Sequence, residues 1–174
     1  MVGNKVNANG GSVNIREFDE KDYPAVQDIY QQGIDTGNAT FQEKAKNWEE
    51  WNSSMLTNCR IVATDGNKIL GWAALSPVSS RDVYSGVAEV SVYVADQAQG
   101  KGIGQKLLSQ LISESENNNI WMLQASIFPE NVRSLTLHEK NGFRQLGVRD
   151  RLGKMKGIWR NVVLMERRSK VAGA

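Results

Sequence analysis

One stretch constrains this chain more than any other. An apolar run over residues 88–94 reads as a strand, and a glycine-rich turn, Gln99-Gly100-Lys101-Gly102-Ile103-Gly104, follows it almost at once. Ile103, Leu107, Leu108, Leu111 and Ile112 then form one apolar face at helical spacing, which predicts an amphipathic helix over 103–116. A strand, a glycine turn and a helix N-terminus make an anion site by ordinary physics. The first N–H groups of a helix lack intrahelical partners, the helix dipole adds favourable potential, and glycine lets phosphate oxygens approach. Lys101 adds a mobile positive charge. The spacing excludes two common phosphate cradles. There is no G-x-x-x-x-G-K-[ST], and Gly100, Gly102 and Gly104 do not make G-x-G-x-x-G. A turn that needs glycine only for its own geometry is the plain alternative.

The pattern around this unit is α/β. Residues 13–18 read as a strand, and Asp22 as the cap of a helix with Pro24 in its first turn and Val26, Ile29 and Tyr30 on its buried face. Residues 33–41 read as a loop, and 46–56 as a second helix carrying Trp48, Trp51, Met55 and Leu56. Runs at 60–64 and 68–75 flank Asp65-Gly66-Asn67, a hairpin signal. Residues 76–87 form a loop long enough to be functional. After the central helix come a strand at 121–127, a helix at 132–140 stopped by Asn141-Gly142, and strands at 143–148 and 158–167. The expected order is β-α-α-β-β-β-α-β-α-β-β. It implies one domain over 13–167, between a flexible leader (1–12) and a flexible tail (168–174).

Composition narrows the function classes. A chain of 174 residues suits a single core. A net charge of +2, with positive residues scattered except at Arg167, Arg168 and Lys170, argues against nucleic acid as a partner. Cys59 is the single cysteine and His138 the single histidine, so neither an intrachain disulfide nor a zinc site is expected. No apolar run reaches membrane-spanning length and no signal-peptide core opens the chain, so no membrane partner and a cytoplasmic location are expected.

Gln99, Gly102 and Gly104 make a Gln-x-x-Gly-x-Gly pattern that resembles the pyrophosphate loop of the GNAT acetyltransferase superfamily. Asn131-Val132-Arg133-Ser134, followed by Leu137-His138-Glu139-Lys140-Asn141-Gly142-Phe143, resembles a later segment of the same superfamily. Within it the chain is similar to the phosphinothricin and methionine-sulfoximine acetyltransferase branch. That likeness rests on Arg81-Asp82-Val83-Tyr84 before Ala88-Glu89-Val90-Ser91-Val92-Tyr93-Val94, on His138 where many relatives have tyrosine, and on Gly157-Ile158-Trp159-Arg160-Asn161-Val162. The resemblance covers about residues 13–167. It implies a single-domain GNAT-like fold, with a mixed, mostly antiparallel, twisted sheet flanked by helices. Its strands 88–94 and 121–127 would splay apart, and acetyl-CoA would enter the gap as co-substrate. Val92, Tyr93 and Val94 would meet the pantetheine through their backbone, and Gln99, Gly100, Lys101, Gly102, Ile103 and Gly104 would hold the pyrophosphate. Asn131 and Ser134 would contact the pantetheine and phosphate arm. Asn161 departs from the branch's usual aspartate, so a structural carboxylate is expected to be lost there.

The implied reaction is direct transfer of acetyl to the α-amine of a small amino acid such as phosphinothricin, methionine sulfoximine or methionine sulfone. The attacking amine must be neutral, so a base or a water chain has to remove its proton. Glu89 is the candidate base; the alternatives are that it pairs with Arg81 or only orients the amine. His138 is placed to protonate the leaving thiolate or to hydrogen-bond the substrate, or is simply packed. Arg81 suits a substrate carboxylate through two parallel hydrogen bonds, with Tyr84 beside it. Phe41, Trp48 and Trp159 are read first as packing residues and second as pocket walls. Acetylation of a peptide N-terminus or another amine, and a CoA-binding module without catalysis, are the competing functions. The branch resembled also implies a homodimer.

Overall fold

The computed structural model describes residues 12–174; most of the expected leader therefore lies outside the described residues. The elements follow one another as β1 (Asn14–Glu17), α1 (Tyr23–Asp35), α2 (Trp48–Ser54), β2 (Ile61–Asp65), β3 (Lys68–Pro77), β4 (Val87–Val94), α3 (Ile103–Asn117), β5 (Met122–Ile127), α4 (Val132–Lys140), β6 (Arg144–Met155) and β7 (Ile158–Arg168). The strands form one seven-stranded sheet in the order β1-β2-β3-β4-β5-β7-β6. Neighbours are antiparallel except β4 and β5, which run parallel. The expected element order and the mixed, mostly antiparallel sheet are both present.

The parallel pair creates the site. Its register holds only Val87↔Met122, Ala88↔Leu123 and Glu89↔Gln124. Beyond Glu89, β4 stays paired with β3 as far as Val94, while β5 stays paired with β7 as far as Ile127. The two strands therefore part, as the resemblance implied. The Ala95 N–H donates to Leu70 O on the β3 side at 2.8 Å. Backbone groups of successive strand residues point to opposite edges, so those of Val92 and Val94 face the gap.

Side chains sort the sheet into two faces. On one, Gly33 of α1 lies against the Tyr93 ring, so close that a Cβ there would sit 2.6 Å from it. Tyr93 also stacks on Trp72, with ring centroids 4.9 Å apart. On the other face, Gly104 of α3 approaches Val94 and Leu137 of α4. Glu89 shares the α1 face with Tyr93, because side chains alternate along a strand. The core lies on both sides: Val26, Ile29 and Tyr30 under α1, and Ile103, Leu107, Leu108 and Leu111 under α3.

Four local expectations are corrected. Asp22 sits at the N-cap position of α1, but its side chain makes no capping bond to that helix; it forms a capping box with Asp19 around the preceding 3-10 turn, accepting from the Asp19 N–H at 2.8 Å, and also accepts two hydrogen bonds from Arg16 at 2.7 and 2.8 Å. Helix α2 is shorter than expected because Asn47 and Glu50 form a capping box that starts it at Trp48. β6 runs well beyond residue 148, through a charged stretch with no buried face, held by its pairing with β7. The tail after β7 folds back: Ser169 and Ala172 are buried, and Arg168 donates to Ala172 O at 2.9 Å and Gly173 O at 2.6 Å.

Candidate active site

The gap between β4 and β5 opens into a cavity of about 1600 Å³, larger than a usual drug-sized pocket. On the α3 face it is lined by the glycine loop and the start of α4. On the α1 face it is lined by Glu89, Ser126, Phe128, Leu152, Val162 and the loop 38–42. One cleft thus joins an anion cradle on one face of the sheet to a carboxylate on the other.

The cradle is built by backbone conformation. Gly100 and Gly102 take φ of 73° and 76°, a region that L side chains rarely occupy, and Gly102 is the N-cap of α3. A Cβ at either would meet no protein atom within 4 Å, so the space above them is open to a ligand. Gly104 packs closely: a Cβ there would sit 3.3 Å from Leu137, which would have to give by a few tenths of an ångström. The Gln99 side chain braces the turn: Nε2 donates to Val94 O at 2.8 Å, and Oε1 accepts from Arg133 at 2.8 Å. Ile103 is buried, so only its backbone can serve a ligand. Lys101 is exposed and lies outside the cavity lining. Asn131 caps α4 by accepting from the Ser134 N–H at 3.2 Å, and its Nδ2 donates to Asn38 O at 3.2 Å.

Glu89 stands where the strands part, half-buried, and accepts from Gln124 Nε2 at 3.3 Å. It makes no ion pair with Arg81. His138 is buried and lines the cavity. Its Nδ1 lies 2.7 Å from Ser134 O; a carbonyl only accepts, so Nδ1 carries the proton. Burial holds the imidazole below its ordinary pKa of 6.5, the Ser134 bond opposing that shift. At neutral pH the ring is therefore neutral, with Nε2 left as an acceptor. Burial pushes the Tyr93 phenol far up, and the Tyr93 backbone faces β3 opposite Trp72 rather than the gap, so the geometry does not present it to the pantetheine as the resemblance implied.

The structure does not bring Arg81 and Tyr84 into the cleft. Both are exposed on a turn that leads towards β4, with the Arg81 guanidinium 5.4 Å over the Tyr84 ring. Phe41 does wall the cavity, whereas Trp48 packs on Phe18 and Trp51, and Trp159 is 55% exposed. Asn161 keeps a structural role without a carboxylate: its Oδ1 accepts from the Arg151 N–H at 2.9 Å, at a bulge where Arg151 takes φ of 48°. Arg133, Gln124 and, apart from Phe41, the loop 38–42 were missed by sequence reasoning. No short motif marks them, because they reach the cleft through strand register and a long-range loop contact.

A model of the acetyltransferase (GNAT) family matches residues 15–143. The chain belongs to that family. It is an acetyl-CoA-dependent N-acetyltransferase. It is 33% identical over 163 residues to a phosphinothricin N-acetyltransferase of Alcaligenes faecalis, covering 88% of this chain and 81% of that protein. It is 28% identical over 161 residues to an L-methionine sulfoximine/L-methionine sulfone acetyltransferase of Pseudomonas aeruginosa, covering 89% and 94%. Among solved structures, the acetyltransferase YncA from Salmonella typhimurium, crystallised with its cofactor acetyl-CoA, superimposes with a TM-score of 0.83 at 28% identity, over 90% of this chain and 94% of that one. The cleft fits such a group: an open strand edge at Val92 and at the Val94 N–H for an extended amide arm, the Val94 carbonyl already accepting from Gln99, and two αL glycines with free space at a helix N-terminus for a pyrophosphate.

Proposed function

We propose that this enzyme acetylates the α-amine of a small amino acid of the phosphinothricin, methionine sulfoximine or methionine sulfone type, by direct attack in a ternary complex. The observation that carries the reading is the placement of Glu89 at the junction of the two cavity faces, with one neutral partner and no ion pair among the described residues. When bound, acetyl-CoA supplies the acetyl thioester. Val92 and Val94 hold its arm along β4, the turn from Gln99 to Gly104 holds its phosphates, and Asn131 and Ser134 fix the α4 side. Glu89 takes the ammonium proton, directly or through one water, so that the amine attacks in its neutral form. His138, neutral with Nδ1 committed to Ser134 O, serves as a hydrogen-bond acceptor in the cleft rather than as the acid for the thiol; when the C–S bond breaks, the departing thiolate takes the second proton that the attacking nitrogen sheds. Arg81, exposed on the turn before β4 and outside the cavity lining, would take the substrate carboxylate by swinging toward the cleft.

The exposed apolar side chains Leu146, Val148, Leu152, Ile158 and Trp159 all lie on the β6–β7 hairpin. They divide between the two faces of the hairpin, Ile158 and Trp159 being consecutive on β7, and a homodimer that covers the hairpin is part of the proposal. Light scattering tests it: a dimer is expected, and Trp159→Glu should shift it to monomer.

Glu89→Gln tests the chemistry. Loss of a general base is expected to lower kcat about 10²–10⁴-fold, with little change in the KM for acetyl-CoA. Turnover equal to wild type at every pH would remove Glu89 from the role.

A further inference from the structure

The loop 36–42 forms the outer wall of the cavity on the α1 face, yet the residue that holds it belongs to β7. Arg160 has a side chain only 13% exposed and does not line the cavity. Its Nη1 donates to Gly37 O at 2.9 Å and its Nη2 to Asn38 Oδ1 at 2.9 Å. Nη2 also meets Glu130 Oε2 at 3.3 Å, and the guanidinium carbon lies 4.0 Å above the Phe128 ring. One planar cation therefore ties three segments: the loop after α1, the turn after β5, and β7 itself. Phe41, at the far end of the same loop, packs edge-on against Phe128 with centroids 4.9 Å apart. It also lies over Gly153 of β6, where a Cβ would come within 2.8 Å of its ring. The loop wall is thus held at Gly37 and Asn38 by Arg160 and seated at Phe41 by the missing side chain of Gly153.

We propose that Arg160 is a positioning residue that latches the loop 36–42 over the acceptor side of the cleft, so that Phe41 sets the room for the acceptor's side chain. The inference rests on the proposed function only in taking the Glu89 face as the acceptor side. A lysine cannot reproduce the arrangement, because one ammonium cannot serve Gly37, Asn38 and Glu130 while lying flat on Phe128. The latch is also selective between the two substrates. The glycine turn and the backbone edge of β4 do not touch Arg160, and the loop reaches the cofactor side only through Asn131, whose Nδ2 donates to Asn38 O, so acetyl-CoA binding should change less than acceptor binding. The hairpin enters specificity too: whatever shifts β6 at Gly153 shifts Phe41.

The test uses the full-length enzyme and the variants Arg160→Met, Arg160→Lys and Gly153→Ala. Hydrogen exchange of the loop amides is read alongside steady-state kinetics with methionine sulfone and with a smaller amino acid. Arg160→Met is expected to speed loop exchange at least tenfold and to raise the acceptor KM at least tenfold, with a several-fold smaller change in the acetyl-CoA KM. Arg160→Lys should recover part of both effects. Gly153→Ala should penalise the larger acceptor more than the smaller one while thermal stability stays close to wild type. Unchanged loop exchange in Arg160→Met overturns the latch whatever the acceptor proves to be. Faster exchange with an unchanged acceptor KM overturns its part in acceptor binding. If the wild-type enzyme released no thiol with any amino acid while Arg160→Met still loosened the loop, the amino-acid reading would fail and the latch would stand.

Discussion

Gly102→Ala separates a phosphate cradle from a merely tight turn. Gly102 has φ of 76° and ψ of 12°, so alanine there adopts a left-handed conformation. That costs about 1–2 kcal/mol. The new Cβ meets no protein atom within 4 Å, so no steric penalty adds to the strain. The expected loss of stability is on the order of 1 kcal/mol, or a Tm shift of about 2–4 °C for a chain of this size. Binding should suffer more. The methyl group occupies the space through which a phosphate reaches the first N–H groups of α3. Losing one charge-assisted hydrogen bond costs about 1.5–3 kcal/mol, which is roughly a ten- to hundredfold rise in Kd for CoA. Gly66→Ala is the control. Gly66 has φ of 57° in the β2–β3 turn, also with nothing within 4 Å of a Cβ, and is not part of the cavity lining. Calorimetric titration with CoA, beside thermal melts, should show similar destabilisation in both variants and weakened binding only in Gly102→Ala. Equal CoA affinity in both variants would refute the cradle.

Arg81→Ala is expected to raise the KM for the amino acid at least tenfold but to leave unchanged the KM for the same amine lacking its carboxylate; equal effects on both would sink the carboxylate clamp. Burial holds His138 below its ordinary pKa of 6.5, so the unfolded chain binds more protons than the native one as pH drops below about 6.5. The contribution of the neutral ring to stability is therefore complete above that value and is lost as pH falls through the folded-state pKa. Urea midpoints should decline over this window in wild type and less steeply in His138→Gln, and identical slopes would contradict the burial argument. Cys59, whose thiol burial pushes up to about 11, should resist an aromatic disulfide reagent at pH 7.5 in the native protein and react fully in urea. Rapid labelling of the native protein would show that the thiol is accessible.

The glycine turn and the helix behind it were legible because both depend on local rules: φ at glycine, the orphan N–H groups and the 3.6-residue period of Ile103, Leu107 and Leu111. The splayed strands came only through the family resemblance, since a parallel register that stops at Glu89↔Gln124 leaves no trace in either strand's own sequence. The extension of β6 was missed because residues 149–155 bury no face; partner strand and Phe41 hold them, not periodicity. Arg160 was read only as one position in a motif. Its partners lie more than a hundred residues away in sequence, at Gly37 and Asn38, so nothing local announces its role. The docked tail was hidden for a similar reason: Arg168 draws it in through carbonyl groups, which every residue has.

The proposed reaction brings an amino-acid amine to acetyl-CoA beside Glu89. The most direct measurement is thiol release from acetyl-CoA with methionine sulfone, methionine sulfoximine and phosphinothricin, set against a peptide amine and with the N-acetyl product identified by mass. The account predicts release with the amino acids, acetyl on the α-nitrogen, and a large loss in Glu89→Gln without loss of CoA binding. Release with the peptide amine alone, or CoA binding with no release from any amine, would contradict it.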